Sequence, residues 1–203
     1  MIILSIWAFV FLVGMSVSVV RSAVMLTVYA LLALGRREKM SVNTLAFTAM
    51  ILLIINPWTL FDVGFLLSFM AVLSILLWMS WAEQLLSPRF LMSHRFVRWL
   101  WSMTLISVAA QIGVAPLIAY YFGRFSTFFL LTNFVVVPAA TVILYLSLIV
   151  LLFPPLAYLL IYIVGLLNAA LLYLASIPGV SIDGLHPTVL QVVMVYVIIA
   201  SLW

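Results

Sequence analysis

The chain has 203 residues, of which 69% are hydrophobic and only 6% charged, and its formal net charge is +4. Because soluble domains are about 45–50% apolar, this composition excludes a soluble globular protein and predicts an integral membrane protein. The sequence contains no cysteine, which excludes disulfides, thiolate nucleophiles and cysteine metal sites.

Apolar runs separated by short polar breaks divide the chain into about seven to eight segments, judged against a span of about 20 residues. The predicted segments cover residues 2–13, 19–34, 42–55, 63–80, 99–121, 127–152, 156–176 and 188–203. We expect an all-α, polytopic transmembrane helix bundle that forms a single membrane domain over residues 1–203. Glycine or proline shortens several segments, which predicts broken or re-entrant helices. Met1 leads into an apolar run without basic residues or an Ala-x-Ala site, so a cleaved signal peptide is not expected.

An arginine lies inside the second apolar segment, in the string "GMSVSVVRSAVM". Burying Arg21 costs several kcal/mol unless it is paired or faces water, so it is a candidate for the bundle interior or for a translocation path. The alternative is that its aliphatic stem carries the charge to an interface. Gly14, Ser18 and Ser22 recur every four residues, which predicts a helix-packing stripe beside Arg21. Gly14 is also a predicted helix break, and Ser18 is a further candidate for the interior.

Positive charge is concentrated in two loops, "GRREK" at residues 35–39 and the region 83–98 that contains "SPRFLMSHRFVR". Lysine and arginine mark cytoplasmic loops, so both are predicted on the cytoplasmic side with two spans between them. The second loop is also amphipathic and is expected to lie on anionic lipid. The same count places "NPWTLFD", "GRFS" and "IPGVSIDGLHP" on the opposite face. If residues 57–80 are re-entrant instead, everything after them inverts.

A polar break opens the stretch "INPWTLFDVGFLLSF". Asn56 and Pro57 interrupt the chain, and Asp62 either caps the helix that follows it or lines a pore. Gly64 and Ser68 have the small-xxx-small spacing of a packing face. Asn56 and Asp62 are therefore candidates for the path or the bundle interior. Pro57, Gly64 and Ser68 are predicted to break or pack helices.

Two later segments each carry an amide and a proline. Gln111 precedes Gly113 and Pro116, and Asn133 precedes Pro138. Each proline frees a carbonyl one turn earlier and each amide needs a partner in lipid, so both segments are predicted to be interrupted there. One interpretation is amide contacts that hold helices together. The other is a lined cavity, for which Gln111 and Asn133 are the candidates.

No catalytic or cofactor site is expected. The sequence lacks G-x-x-x-x-G-K-[ST], so it has no nucleotide-driven motor of that type. Its two histidines and four acidic residues lack metal-ligand spacing, which leaves no predicted metal site. Tryptophan and tyrosine residues fall near segment ends, as in an aromatic belt at the lipid interface.

Several strings, in this order, resemble the membrane competence domain of ComEC-type DNA-uptake proteins. They are "GMSVSVVRSAVM", "GRREK", "INPWTLFDVGFLLSF", "YFGRFSTFFLLTNFVVVP" and "LASIPGVSIDGLHPTVLQVVMVY". The resemblance covers nearly the whole chain. The positions that match the family's pattern are Ser18, Arg21, Met25, Asn56, Pro57, Gly64, Phe65, Ser68, Asn133 and Pro138.

The resemblance implies a multi-pass protein of the bacterial cytoplasmic (inner) membrane that forms a channel for single-stranded DNA during natural transformation. Membrane lipid and other DNA-uptake proteins are the implied partners, and the oligomeric state stays open. Full-length relatives also carry an oligonucleotide-binding domain and a metallo-β-lactamase-like domain. Neither is found here, so the chain is expected to lack nuclease activity and to be a fragment or an incomplete paralogue. Discontinuous helices and one intramembrane arginine would serve a secondary transporter of a small solute equally well, which is the alternative function.

Overall fold

The computed structural model of the chain describes residues 2–34, 42–82, 95–177 and 179–201. Within these ranges the protein is almost entirely helical, which confirms the predicted helical class. The eight α-helices of the described ranges are α1 (Ile2–Leu12), α2 (Val17–Leu34), α3 (Val42–Ile55), α4 (Val63–Ala82), α5 (Arg95–Phe122), α6 (Phe129–Leu152), α7 (Ala157–Ser176) and α8 (Val189–Ser201). Short 3₁₀ helices, Pro57–Phe61 and Pro154–Leu156, precede α4 and α7.

The turn between α1 and α2 depends on a glycine. Gly14 has a φ of +84°, in the left-handed region that residues with a side chain rarely adopt, and it ends α1 as predicted. Since α2 begins only at Val17, Gly14 is not on that helix. The predicted helical stripe of Gly14, Ser18 and Ser22 is therefore wrong, because its spacing assumed one continuous helix. A Cβ at Gly14 would meet nothing within 4 Å.

Two predicted interruptions are absent from the structure. Pro116 lies inside α5 and Pro138 lies inside α6, and both helices continue through them. The predicted breaks at Gly113–Pro116 and at Pro138 are therefore wrong. Proline removes one backbone donor, but packing of neighbouring helices and side chains lets an apolar helix continue through it.

The core of the bundle lies among α2, α3 and α4. Its buried members are Val24, Val28, Leu45, Leu52, Phe65 and Phe69. The rings of Phe65 and Phe69, one helical turn apart, contact each other in a tilted arrangement with centroids separated by 4.3 Å. Phe65 and Phe69 lie in the first two turns of α4, so the start of α4 is held against α2 and α3.

Helices α4 and α5 share the most extensive contact of the described residues, and they run antiparallel. Gly113 of α5 packs on Met70 and Ser74 of α4, and the Ser74 hydroxyl donates a hydrogen bond to the carbonyl of Ala109. Residues later in α4 therefore face residues earlier in α5. It follows that the N-terminal end of α4 and the C-terminal end of α5 lie at the same end of the bundle.

A short antiparallel ribbon occupies that same end. It pairs β1 (Arg124–Ser126), which follows α5, with β2 (Ser181–Asp183), which precedes α8. Residues 56–62, 123–126 and 179–187 thus lie at one end of the bundle, and their predicted location on the face opposite the basic loops stays a prediction. The basic residues 35–39 and residues 83–94 lie outside the described ranges, so their predicted cytoplasmic location stays a prediction.

Within the described ranges, three helical stretches are long and apolar enough to cross a membrane: Val97–Phe122, Phe129–Val150 and Pro154–Ser176. In the two later stretches, the most apolar window contains no residue that the protein itself buries. Leu172 and Tyr173 of α7, for example, are each 72% exposed. Such surfaces are suited to contact with lipid rather than water.

Candidate functional site

Two capping residues, Asn56 and Asp62, precede α4. Oδ1 of Asn56 accepts a hydrogen bond from the N–H of Trp58 at 3.1 Å, and the Asn56 carbonyl accepts one from the Thr59 hydroxyl at 2.7 Å. Pro57 is the first residue of the 3₁₀ helix, where a missing N–H is harmless. Asn56 is exposed, and its polar atoms serve this turn. The turn delivers Asp62 to the first position before α4.

Asp62 is the cap of α4, and the capping interpretation of its sequence position is confirmed. Its Oδ1 accepts a hydrogen bond from the N–H of Gly64 at 3.1 Å, which satisfies a donor that the helix leaves without an intrahelical partner. Its other oxygen, Oδ2, accepts a hydrogen bond from Nη1 of Arg21 at 2.6 Å. One carboxylate therefore links the start of α4 to α2.

Arg21 lies in the second turn of α2 and is only 7% exposed. The side chain of Asp62 is 41% exposed, so the pair is closed on the arginine side and open on the aspartate side. An unpaired buried guanidinium would be costly, and the carboxylate provides both counter-charge and acceptor. The chain has only four acidic residues. Because a buried arginine needs a counter-charge, that small number limits the possible partners of Arg21 and could have been used to predict this pair.

Gly64 makes room for the guanidinium. A Cβ at Gly64 would lie 2.8 Å from Nη2 and 3.1 Å from Nη1 of Arg21, so any side chain there would displace the charged group. The predicted packing partner of Gly64 is thus an arginine rather than another small residue. Ser68, one turn later, is half-buried and returns its hydroxyl to the Gly64 carbonyl.

One donor of Arg21 has no partner. The buried Nε makes no hydrogen bond within the part of the chain that the structure describes. A guanidinium has five N–H groups, and Nη1 is the atom of Arg21 that forms an ion pair among the described residues. The site therefore holds more donor capacity than its built-in acceptor uses.

A second close contact joins α4 and α5 about three turns from the ion pair. A Cβ at Gly113 would lie 2.5 Å from the carbonyl oxygen of Met70 and from Cβ of Ser74. Gly113 is therefore a close-packing residue, not a helix break. Ser74 is buried and donates to the Ala109 carbonyl at 2.6 Å. No sequence pattern predicts this role for Ser74, since it is a single small polar residue in an apolar run.

Helix α8 is fastened to the proline-containing part of α5. The Tyr196 hydroxyl donates a hydrogen bond to the carbonyl of Gly113 at 2.7 Å. Pro116 has no N–H, so the neighbouring carbonyl of Ile112 lacks its usual helical donor. Tyr196 thus joins α8 to α5 one residue from that carbonyl, and no local pattern in the sequence predicts a contact between residues so far apart.

The remaining polar candidates do not join the ion pair. Gln111 lies in α5 between Ala109 and Gly113, both of which contact Ser74 of α4. Ser74 is about 18 Å along α4 from Asp62, at 1.5 Å per residue. Gln111 and Asn133 are half-buried, and neither side chain forms a hydrogen bond in the described part of the chain. Ser18 is exposed, and its carbonyl accepts from Ser22.

The site offers charge pairing and hydrogen-bond donors rather than metal ligation. Among the described residues, no three of the histidine, cysteine, aspartate and glutamate side chains form a group that could hold a metal ion. The donors at the start of α4 are the Arg21 guanidinium and the Gly64 N–H. Such donors bind oxyanions.

Comparison with known proteins identifies relatives of the chain. The model of a family described as "Competence protein" matches residues 1–203. "ComE operon protein 3" of Bacillus subtilis (strain 168) is 32% identical over 133 residues, which are 66% of this chain. The matched region is 16% of that relative, so the chain spans a small part of its length. No solved structure matches the chain.

Proposed function

The chain belongs to the family of competence proteins, and we propose that it forms the channel through which single-stranded DNA crosses the bacterial cytoplasmic membrane during natural transformation. The observation that carries the proposal is the family match, which extends over residues 1–203. The site at the start of α4 supports it, because its donors suit phosphate. The chain acts as a conduit in this proposal and not as an enzyme.

The proposed channel is one multi-pass domain of the inner membrane to which all eight described α-helices contribute. Three helical stretches are long and apolar enough to span the membrane, and the shorter helices pack beside them. The unburied faces of α6 and α7 contact lipid. Other DNA-uptake proteins deliver the strand to the end of the bundle that carries the caps and the ribbon.

A path for DNA has to offset the charge of each phosphate without retaining the strand. Arg21 and the N-terminus of α4 provide positive potential at one point, and Asp62 cancels most of it while no strand is present. A site that is neutral at rest favours transient contacts over tight binding. This balance suits a permeant that must leave as readily as it enters.

The proposal is tested by placing residues 1–203 into the competence protein of a naturally transformable bacterium, in exchange for the matching membrane segment. Two quantities are measured: labelled DNA bound at the cell surface and labelled single strands recovered from the cytoplasm. We expect the exchanged protein to support cytoplasmic recovery. Arg21→Gln is expected to abolish that recovery while surface binding continues, because the defect lies at the membrane step. Asn168→Ala, an exposed position on α7, is the matched control.

The alternative of a small-solute transporter makes a different prediction. If the chain is a small-solute transporter, the Arg21→Gln substitution should not change the cytoplasmic recovery of DNA when the amount of protein in the membrane is normal. That result would contradict the channel. Protein level in the membrane fraction, measured by immunoblot in the same cells, separates a transport defect from loss of the protein.

A further inference from the structure

The Asp62 carboxylate occupies the position at which a helix N-terminus binds an anion. It accepts from the backbone N–H of Gly64 at 3.1 Å and from Nη1 of Arg21 at 2.6 Å. A backbone N–H in the first turn of a helix, together with an arginine, is also the donor set that binds phosphate oxygens. Helix α4 has 20 residues, so its N-terminus carries the full partial charge of a long helix.

An independent observation indicates that these donors exceed the needs of Asp62. Arg21 is more than nine-tenths buried, its guanidinium lies against Gly64 in the first turn of α4, and its buried Nε has no partner in the part of the chain that the structure describes. A buried donor without an acceptor is costly. The arginine is thus held at the helix start with a donor that Asp62 does not use.

We infer that Arg21 and the N-terminus of α4 form a binding site for a phosphodiester group, and that Asp62 is a built-in competitor which occupies the site when no phosphate is present. The inference rests on the proposed function in taking the DNA strand as the source of the phosphodiester. A phosphodiester and a carboxylate both carry one negative charge. Exchange of one for the other therefore keeps the buried guanidinium neutralised throughout.

The geometry allows this exchange. Asp62 is 41% exposed on its side chain, so it can turn outward into an accessible space when a phosphate replaces it. Gly64 has no side chain that would block a phosphate from reaching the guanidinium. The guanidinium itself lies against the backbone of Gly64. Competition by Asp62 weakens the hold on each phosphate, which is what passage of a strand requires.

Binding to the full chain in an uncharged maltoside detergent tests the inference. The probe is a fluorescein-labelled oligothymidylate, and its dissociation constant is read from fluorescence anisotropy. We expect Asp62→Asn to bind the probe about tenfold more tightly than the unsubstituted chain, because the competing charge is gone while a capping oxygen remains. Arg21→Lys, which keeps the charge but loses the planar fork, is expected to bind about tenfold more weakly. Asp183→Asn removes an equal charge from the exposed ribbon and should match the unsubstituted chain.

Either of two results would overturn the inference: an Asp62→Asn affinity no greater than that of the Asp183→Asn control, or an unchanged affinity in Arg21→Lys. If Asp62→Asn is not recovered as a folded protein by size exclusion, the Arg21→Lys comparison decides alone, since that variant retains the ion pair. Phosphatidylglycerol is titrated against the bound probe to distinguish DNA from lipid as the source of the phosphate. If the Arg21→Lys substitution weakens binding of the lipid but not binding of the probe, DNA is not the ligand. Arg21-dependent probe binding together with unaffected DNA uptake in cells would refute the channel while leaving the site in place.

Discussion

The guanidinium of Arg21 lies directly on the backbone of Gly64, so closely that a Cβ at Gly64 would come within 2.8 Å of Nη2. Gly64→Ala is therefore expected to push the guanidinium off Asp62 and to lower the free energy of unfolding by about 1–3 kcal/mol, as overpacking does. Gly64→Leu is expected to prevent folding and DNA uptake. Thermal unfolding in detergent and transformation frequency are the measurements.

Gly165 provides a matched control for that prediction, since it is also a helical glycine. A Cβ at Gly165 would meet nothing within 4 Å, and alanine is favoured over glycine in a helix by about 1 kcal/mol. Gly165→Ala should therefore be neutral or slightly stabilising. Equal behaviour of the two alanine variants would show that Gly64 is not needed to seat the arginine.

The second prediction concerns Asp62, which has two separate roles. Asp62→Asn keeps an oxygen that can cap α4, so capping alone predicts that DNA uptake is largely retained. Loss of the ion pair should also lower the stability of the protein, because Arg21 would be left buried without a counter-charge. We expect Asp62→Asn to lower the free energy of unfolding by about 2–4 kcal/mol, which is less than for a fully enclosed pair because Asp62 is partly exposed.

A double-mutant cycle with Arg21→Met measures that coupling directly. The combined Arg21→Met and Asp62→Asn variant should be more stable than Asp62→Asn alone, since no charge is then stranded. Stabilities that simply add would mean that the two side chains do not interact in the folded protein. Asp183→Asn, whose pair with Arg124 is exposed, should change stability little.

The third prediction concerns the contact between α4 and α5. Gly113→Ala places a Cβ 2.5 Å from the backbone oxygen of Met70, and a backbone atom cannot move aside as the end of a side chain can. We expect this variant to be destabilised more than Gly64→Ala, where the obstacle is a flexible side chain. Unfolding of both variants in the same detergent tests the order, and the reverse order would contradict the observed helix contact.

The fourth prediction fixes the topology. Because the chain has no cysteine, single cysteines can be introduced at Lys39, Arg95 and Ser181 without background labelling. Lys39→Cys and Arg95→Cys should resist an impermeant thiol reagent added to intact cells, whereas Ser181→Cys on the ribbon should react. Labelling of only one of the first two would refute two spans between the basic loops and favour a re-entrant segment at residues 57–80.

Much of the local structure follows from the sequence. The predicted segment 42–55 is α3 residue for residue, and the other described helices begin and end within a few residues of their predictions. Asp62 was also predicted as a possible cap, because a cap bonds to backbone groups two or three residues away. Helix ends and caps are set by nearest neighbours along the chain, so a linear reading can find them.

Tertiary structure decided what the polar and small residues do. Arg21 and Asp62 are 41 positions apart, and Tyr196 reaches Gly113 across 83 positions, so no local pattern connects them. Gly113 and Pro116 were predicted as a break because the residues alone disfavour a helix, yet α5 continues through them, with Gly113 packed against α4 and its carbonyl bonded to Tyr196 of α8. Sequence determined which segments are apolar and helical, because burial in lipid depends on each segment's own composition. The partners of its few charges and amides depend on which helices meet, and that is settled only when the bundle is packed.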